Sequence, residues 1–535
     1  MYSKTLSAML SGLRADFISV EMQISAGIPC FLIVGLASKA IVEAKERVIA
    51  ALKSSNFSIP AKRILVNLSP ADQKKEGPQF DLAIASLILK NLDYIKVNDK
   101  FFENSCFLAE LSLTGKLKGC RGILSLVMEA SKRNIENIFI SSESLDEISI
   151  LKLDSKLTRK SKIYLIDSLT ELVELMKNPK ELAKKEFHNL SKHINNFNKD
   201  YQEQSSKKTM GKYRNLDSIK GQYQAKRALE IAITGKHNIL FMGPPGCGKS
   251  MLAAAAQGII PELSLEEAIE LRRIRELTAK DTNESFDLQA PYRSPHNSCT
   301  AVSLIGGGVP ILPGEVSLAH KGILFLDELT EFSRYNIDQL RTVLDQSKVN
   351  LNKSNQSIQF PADFILIAAS NPCACGYLGD KKRPCICSPS QINRYRAKIS
   401  GPILDRIDLI VNLSRLESQE ILASSPEPSE EKLTQEDTNG NTNIGSNLKL
   451  KKKIIKSQNF ARNVSKADQY KLTHDVQDLL KSAIDKFDLS ARAYGKIIKV
   501  SRTIANIEAS EEIKLEHLAE ALQYRENFHS NLQEV

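Results

Sequence analysis

The feature that most constrains this chain is the segment GPPGCGKS at residues 243–250, which matches the pattern G-x-x-x-x-G-K-S. The apolar run NILFM precedes it, and the helix-like run SMLAAAAQGII includes its final serine and continues beyond it. In a strand–loop–helix unit of this kind, backbone amides turn inward around a phosphate group, the lysine reaches the β- and γ-phosphates, and the hydroxyl group ligates Mg²⁺. The segment therefore predicts a nucleotide site, in preference to a chance glycine-rich turn.

Every residue of this segment is a predicted nucleotide-binding residue. Lys249 is assigned to the phosphates and Ser250 to Mg²⁺, whereas Cys247 is expected to contribute only its backbone. ATP and Mg²⁺ are the expected cofactors. The full set is Gly243, Pro244, Pro245, Gly246, Cys247, Gly248, Lys249 and Ser250.

Two further apolar runs end in polar residues. GILFLDEL at 322–329 contains an acidic pair after its apolar run, of which Asp327 is expected to hold Mg²⁺ through the water shell of the ion and Glu328 to orient and deprotonate the attacking water. An acidic pair at a strand end is also common as a helix cap, but its distance from the GPPGCGKS segment favours the functional interpretation. Asn371 directly follows FILIAAS, and we expect it to position the lytic water beside the γ-phosphate.

Arg406, in GPILDRIDL, lies between a short predicted helix and an apolar strand. An arginine in this position suits a finger that reaches the γ-phosphate bound by a neighbouring subunit. The alternative is a salt bridge within the chain, to Asp405 or Asp408.

The order of elements predicts several domains, as expected for 535 residues. Residues 1–180 mix β-rich and helical runs and predict an α+β domain, and the polar residues 181–214 predict a linker. Alternating strands and helices over 215–420 predict a parallel, doubly wound sheet with ligands at the carboxyl ends of its strands. Residues 421–465 predict a mobile insertion followed by a basic segment, and 466–535 a helical lid.

Composition places the chain in the cytoplasm. No apolar run approaches the roughly 20 residues that span a bilayer, so no membrane association is expected. The nine cysteines do not form a disulfide framework, which fits a reducing compartment. The formal charge of +10 is compatible with a polyanionic partner or with a simple excess of lysine.

Four cysteines lie close together in the sequence, as C-x-C, nine residues and C-x-C. Four thiolates on a short loop containing glycine and proline suffice for a tetrahedral Zn²⁺ site. Free thiols or reversible disulfides are the alternatives. The candidate zinc ligands are Cys373, Cys375, Cys385 and Cys387.

Beyond the GPPGCGKS loop, several segments together resemble the YifB/ComM family of magnesium-chelatase-like AAA+ ATPases: LIGGGVPILPGEVSLAHKGILFLDEL, NPCACGYLGD, CICSPSQINRYRAKISGPILDRIDL and LSARAYGKIIKVSRTIA. The resemblance extends over nearly the whole chain. It implies an AAA+ core with an insert in its second helix, a homo-hexameric ring, and DNA helicase activity that drives branch migration in recombination during natural transformation.

The same resemblance implies roles for residues outside the phosphate loop. Arg492 begins a helix capped by Ser490, and the lid helix is expected to point it at the phosphates. Residues 301–320 resemble the helix-2 insert, and 348–360 alternate as a hairpin; in related ring helicases both line the pore. Lys348 and Lys353 are therefore candidate DNA contacts, the alternative being ordinary exposed lysines of a hairpin.

The N-terminal domain resembles the proteolytic domain of Lon, a fold of the ribosomal-S5-like type, through residues 69–89 and 110–130. A serine nucleophile needs a base within hydrogen-bond reach. Gln79 stands near the position of the Lon serine and Leu124 near that of the lysine. The resemblance thus implies a protease-inactive domain used for assembly or partner binding.

Two function classes follow. The first is an ATP-hydrolysing hexameric motor that acts on single-stranded or branched DNA. The alternative is a magnesium-chelatase-like remodelling motor that acts on protein or on a metal-insertion complex. Chelatase motors work with separate integrin-like subunits, and this chain carries no recognisable equivalent. An ATP-dependent protease is disfavoured by Gln79 and Leu124.

Overall fold

The structure, a computed structural model, describes most of the chain. The described residues are 1–36, 38–153, 161–187, 214–278, 287–353, 356–380, 382–399, 401–415, 446–464, 472–487 and 490–533. Most of the predicted linker and nearly all of the predicted mobile insertion lie outside these ranges. The chain divides into two compact units, one of residues 1–207 with 268–287 and the other of residues 208–267 with 288–535.

The first unit is built on a seven-stranded mixed sheet in the order β3-β4-β2-β1-β5-β8-β9, with β6 and β7 forming a separate pair. The strands are β1 (Tyr2–Ser11), β2 (Arg14–Ser25), β3 (Cys30–Val34), β4 (Arg63–Ser69), β5 (Ser105–Leu108), β6 (Glu110–Leu111), β7 (Leu117–Lys118), β8 (Asn137–Ser141) and β9 (Lys162–Ile166). The helices are α1 (Lys39–Ser54), α2 (Asp81–Asn91), α3 (Asp99–Glu103), α4 (Ile123–Lys132), α5 (Leu145–Ile148), α6 (Leu169–Lys177) and α7 (Pro179–Lys184).

Alternating apolar residues explain the core of this sheet. In β2, Ile18, Val20 and Met22 are buried while the residues between them are partly exposed. Since successive side chains of a strand point to opposite faces, this pattern buries one face. Helix α2, which is mostly apolar, packs in the same hydrophobic core. The mixture of strands and helices agrees with the α+β prediction.

The predicted boundary at residue 180 is wrong. Helix α7 continues the first unit, Leu165 N–H donates to the carbonyl oxygen of Lys185 at 3.2 Å, and Phe187 is fully buried. Leu182 and Phe187 are isolated apolar residues in a polar stretch, so average composition conceals them. The first unit therefore extends at least seven residues beyond 180, to residue 187.

Residues 268–287, which lie inside the predicted core of 215–420, group with the first unit. Arg273 accounts for much of this: its guanidinium donates to Ser125 Oγ at 2.9 Å and to the carbonyl oxygen of Leu13. It also lies 3.3 Å from Glu129.

The second unit contains a five-stranded sheet in the order β11-β14-β17-β10-β18, in which every pairing is parallel. This confirms the predicted parallel sheet. Strands β14 and β17 are buried along their whole length, as expected when helices cover both faces. The strands are β10 (Ile239–Met242), β11 (Tyr292–Arg293), β12 (Gly306–Gly307), β13 (Leu312–Pro313), β14 (Ile323–Leu326), β15 (Lys348–Lys353), β16 (Gln356–Pro361), β17 (Ile365–Ser370) and β18 (Leu409–Asn412).

Helices of the second unit flank the sheet, and the last three lie in the range 466–535 for which a helical lid was predicted. They are α8 (Tyr223–Gly235), α9 (Lys249–Ala256), α10 (Leu265–Glu276, whose residues from 268 belong to the first unit), α11 (Ala301–Ile305), α12 (Glu315–Leu318), α13 (Arg334–Gln346), α14 (Pro389–Arg396), α15 (Gly401–Leu404), α16 (Ser446–Asn463), α17 (His474–Phe487), α18 (Ala491–Ile507) and α19 (Leu515–Gln533).

The basic segment, which the sequence predicts to follow the mobile insertion as part of 421–465, packs with the lid helices. Helix α16 packs against α8 and α18, and its Ile454 is fully buried in the main core of the unit. Its lysines lie between such apolar positions, so the sequence indicates a charged segment more strongly than a packed helix. Among the described residues, no helix is both long and apolar enough to cross a bilayer.

Candidate functional site

The phosphate loop follows β10 and leads into α9. Gly246 and Gly248 have φ of +79° and +95°, a region that residues with a Cβ rarely adopt, and a Cβ placed on either would meet no atom within 4 Å. Gly248 is also the N-cap of α9. The loop is thus an open backbone turn at a helix N-terminus, where amides and the helix dipole favour an anion.

Lys249 lies inside this turn. Its Nζ donates to the carbonyl oxygens of Gly243 (2.5 Å) and Pro244 (3.1 Å) and to Asn371 Oδ1 (3.0 Å). All three acceptors are uncharged, and burial lowers the pKa of Lys249, while the charge of Asp327 opposes that shift. A partly buried ammonium group with only neutral acceptors is well placed to bind phosphate oxygens.

Ser250 and Asp327 meet at the carboxyl edge of the sheet. Ser250 Oγ donates to Asp327 Oδ2 at 2.7 Å. Neighbouring oxygens around octahedral Mg²⁺, at about 2.1 Å from the ion, lie about 3.0 Å apart, so the pair is already spaced as two oxygens of such a shell. The residues present fit the Mg²⁺ that the motif implies.

Glu328 is exposed, and its backbone has φ of +50°, unusual for a residue with a side chain. The backbone N–H of Glu328 donates to Asp327 Oδ1 at 3.0 Å. The sharp turn after β14 therefore holds the Asp327 carboxylate from one side and leaves the Glu328 side chain accessible to solvent.

Two residues at the loop were missed by the sequence analysis. Gln222, in the left-handed region with φ of +52°, donates from Nε2 to the carbonyl oxygens of Cys247 (3.3 Å) and Ser414 (2.8 Å). Arg415 donates to the carbonyl oxygen of Pro245 at 3.4 Å. Arg415 lies three residues after the end of β18, whereas Asn371 directly follows β17, so the strand-end criterion that selected Asn371 does not select Arg415. Gln222 carries no such signal either.

Arg406 lies at the opposite edge of the sheet. It precedes β18, and its carbonyl oxygen accepts from Asn238, the residue before β10. Its guanidinium is bound by Asp345 at 2.9 and 2.5 Å, and only 8% of its side chain is exposed. A salt bridge within the chain exists, but its partner is Asp345 and not Asp405 or Asp408; the hydrogen bond lowers the pKa of Asp345.

Arg492 lies at this same edge. Its Nη1 is 3.9 Å from Asp405 Oδ2, and α18 is capped as predicted by Ser490, whose Oγ accepts from Ala493 N–H at 3.2 Å. Nearby Lys496 donates to the carbonyl oxygen of Ile407, just before β18. Helix α18 therefore does not bring Arg492 to the phosphate loop of its own chain, contrary to the simplest interpretation of the lid.

An antiparallel hairpin at Lys348–Pro361 confirms the hairpin predicted for 348–360, and residues 301–320 contain a second hairpin. The first pairs β15 with β16 and the second β12 with β13. A Cβ on Gly306 would lie 3.2 Å from Leu351 Cδ1, so the hairpins pack together. Lys348 is exposed at the base of the first hairpin, whereas Lys353 is near its turn with a side chain outside the described part of the structure.

The four clustered cysteines converge. Cys373 Sγ lies 3.4 Å from Cys375 Sγ and 3.6 Å from Cys385 Sγ, and Cys387 Sγ accepts from Cys375 N–H at 3.4 Å. All four sulfurs lie within 4.8 Å of one another, and all four cysteines are free thiols and form no disulfide bond. Zn–S bonds of about 2.3 Å in a tetrahedron separate sulfurs by about 3.8 Å, so the donor set fits Zn²⁺.

The resemblance to Lon predicts positions for a serine nucleophile and a lysine base in the first unit. Neither group is present at those two positions. Gln79 Nε2 donates to the carbonyl oxygen of Glu76 at 2.9 Å, and Leu124 is fully buried in α4. An amide and a buried alkyl group perform neither role.

Comparison with known proteins extends these observations. The model for magnesium chelatase subunit ChlI matches residues 215–421, a second ChlI model matches 20–144, and the ChlI C-terminal model matches 447–525. The chain is 38% identical over 527 residues to Competence protein ComM of Haemophilus influenzae, covering 96% of this chain and 95% of ComM.

Two YifB proteins are similar over the same length. The identity is 35% to YifB of Salmonella typhimurium and 34% to YifB of Escherichia coli, and each comparison covers 96% of this chain and 95% of the relative. Family models cover both units, and these relatives match end to end. The chain belongs to the ComM/YifB family of magnesium-chelatase-like AAA+ ATPases.

Proposed function

We propose that this protein is an ATP-hydrolysing hexameric motor of the cytoplasm that translocates on DNA as a helicase and promotes branch migration in recombination during natural transformation. The family implies an ATPase that uses ATP and Mg²⁺. One observation supports the hexameric ring. The phosphate loop lies at one edge of the parallel sheet, and both Arg406 and Arg492 lie at the other edge.

The distance between these edges supports a site shared by two subunits. Strand β10 has four residues, and at about 3.3 Å per residue it separates the edges by about 13 Å. An arginine side chain already bound to Asp345 does not cross that distance to its own loop. In a ring with head-to-tail contacts, each subunit offers one edge to the next, so Arg406 and Arg492 are placed to serve the neighbouring nucleotide.

Within one subunit, we assign each described residue near the phosphate loop a separate role in ATP hydrolysis. Lys249 binds the β- and γ-phosphates, Glu328 accepts the proton of the attacking water, and Asn371 orients that water. Ser250 and Asp327 would hold Mg²⁺, which would supply positive charge to neutralise the phosphates. The contacts among Lys249, Asn371, Ser250 and Asp327 support this division.

The paired hairpins support movement along a strand. They pack against each other, and Val309, between β12 and β13, is 83% exposed. A projecting element of this kind on each subunit gives a ring a repeated inner contact surface, and exposed Lys348 adds positive charge. ComM is named as a competence protein, which supports DNA as the partner.

A magnesium-chelatase-like remodelling motor is the second candidate, because three chelatase subunit models match this chain. For the first unit we propose a protease-inactive, Lon-like domain used in assembly or partner binding, supported by Gln79 and Leu124. For the four cysteines we propose one structural Zn²⁺.

The function is tested by the ATPase rate of the full-length protein with single-stranded DNA, four-way-junction DNA or no DNA. We expect DNA to stimulate hydrolysis and the junction to be migrated, and expect neither with Lys249→Ala. Hydrolysis that ignores DNA but rises with a protein partner favours the remodelling motor and contradicts the DNA motor.

A further inference from the structure

The loop that carries the four cysteines lies against the phosphate loop of the same unit. Gly376 has φ of +83°, and a Cβ there would lie 2.9 Å from Cδ of Pro245. A side chain at this position would collide with a proline ring that has little freedom to move. The backbone of the cysteine loop and the phosphate loop are therefore in direct contact.

A partly buried ion pair forms a second link. Asp380, whose side chain is 0% exposed, lies 3.2 Å from Arg415 Nε. Arg415 in turn donates to the carbonyl oxygen of Pro245, and its guanidinium lies over the ring of Tyr377 at 5.7 Å. Because Asp380 and Tyr377 both belong to the cysteine loop, Arg415 ties that loop to the phosphate loop.

A third link runs along the chain. Cys373 is two residues after Asn371, whose Oδ1 accepts from Lys249 Nζ, and Cys373 is fully buried. Between β17 and α14 the described residues contain no helix or strand. A segment without a hydrogen-bonded ladder depends on cross-links for a fixed conformation, and four thiolates on one ion supply such a cross-link.

We propose that Zn²⁺ bound by the four cysteines makes this loop a brace for the phosphate loop, so that the metal controls ATP binding and turnover. The inference rests on the zinc site proposed above and adds a role in the ATPase. Without the ion the four thiols have no common partner. The contacts of Gly376 and Asp380 with the phosphate loop then loosen, and Asn371 moves with Cys373.

The test uses full-length protein and the double variant Cys385→Ser/Cys387→Ser. Three quantities are measured: zinc per chain by elemental analysis, the Kd for a fluorescent non-hydrolysable ATP analogue, and steady-state ATPase kinetics. We expect about one zinc per wild-type chain and near zero in the variant. ATP kcat/KM should fall roughly ten- to hundredfold, with weaker binding of the analogue. Cys30→Ser, in the first unit, is the matched control and should change none of them.

A second variant weakens the contact between the cysteine loop and the phosphate loop without removing a zinc ligand. Asp380→Asn keeps all four cysteines and nearly the same shape but removes the charge that holds Arg415. We expect it to retain one zinc per chain while kcat/KM for ATP falls roughly tenfold. If the cysteine variant does not fold, zinc is withdrawn from wild-type protein with a zinc-selective chelator in excess Mg²⁺, and re-addition of zinc should restore the ATPase.

Failure of the zinc site, failure of the brace and failure of the proposed function give different results. Absence of zinc from wild-type protein, even after incubation with zinc, overturns the metal site and the brace but leaves the ATPase and DNA assays unaffected. Loss of zinc with unchanged ATPase kinetics and analogue binding overturns the brace alone. Full ATP turnover in Asp380→Asn excludes Arg415 as the connection and contradicts the brace as drawn here.

Discussion

Replacing Lys249 with alanine is expected to lower kcat/KM for ATP by roughly a hundred- to a thousandfold. The ammonium group has three neutral acceptors and no carboxylate among its described hydrogen bonds, so its positive charge is available to phosphate oxygens that gain charge as the bond to the γ-phosphate breaks. Steady-state ATPase assays and binding of a fluorescent ATP analogue measure the loss. Both turnover and affinity should decline.

The matched control for that substitution is Lys321→Ala. Lys321 is bound to Asp363 at 2.7 Å, before β14 at the edge of the sheet opposite the phosphate loop. This control changes the same residue type in the same unit and should leave kcat/KM near the wild-type value. Comparable loss in both variants would point to a general effect of lysine removal and would contradict the assignment of Lys249.

Glu328→Gln is expected to reduce kcat by about a hundred- to ten-thousandfold while the Kd for ATP changes little. Glutamine keeps the size of the side chain but does not accept the proton of the attacking water. Asp327 and Ser250 remain, so the predicted Mg²⁺ ligands are intact. Single-turnover hydrolysis and equilibrium binding of ATP measure the two effects separately.

Glu331→Gln is a matched control for this second prediction. Glu331 is in the short 3-10 helix Leu329–Glu331 that follows Glu328, is half-exposed, and lies 3.4 Å from Lys398. An exposed ion pair of this kind contributes little, so its loss should leave kcat near wild type. Rapid hydrolysis by Glu328→Gln would show that another group accepts the proton.

The parts of the site that the sequence predicts are those set by local structure. A glycine-rich turn after an apolar strand, and polar residues that end two other strands, predict where Lys249, Asp327 and Asn371 lie, because the carboxyl ends of parallel strands share one edge. Contacts between residues far apart in the chain were not predictable. Asp345 is 61 residues from Arg406, and no pattern at either position indicates the pair.

The domain boundaries show the same limit. Residues 268–287 fall in the middle of the nucleotide-binding sequence but pack with the first unit through Arg273, and composition does not reveal where a helix docks. For the cysteine cluster, the sequence predicted the site but not its position in the fold. Its spacing predicted a four-thiol site, but only the structure places Gly376 against Pro245.

We propose that two subunits complete one active site, and this is tested by mixing two inactive variants. Lys249→Ala keeps Arg406, and Arg406→Ala keeps the phosphate loop, so each variant alone should be nearly inactive. In randomly mixed rings about a quarter of the interfaces join an intact loop to an intact arginine. We therefore expect an equimolar mixture to recover up to about a quarter of the wild-type ATPase rate. No recovery in rings shown to contain both variants would contradict the shared site.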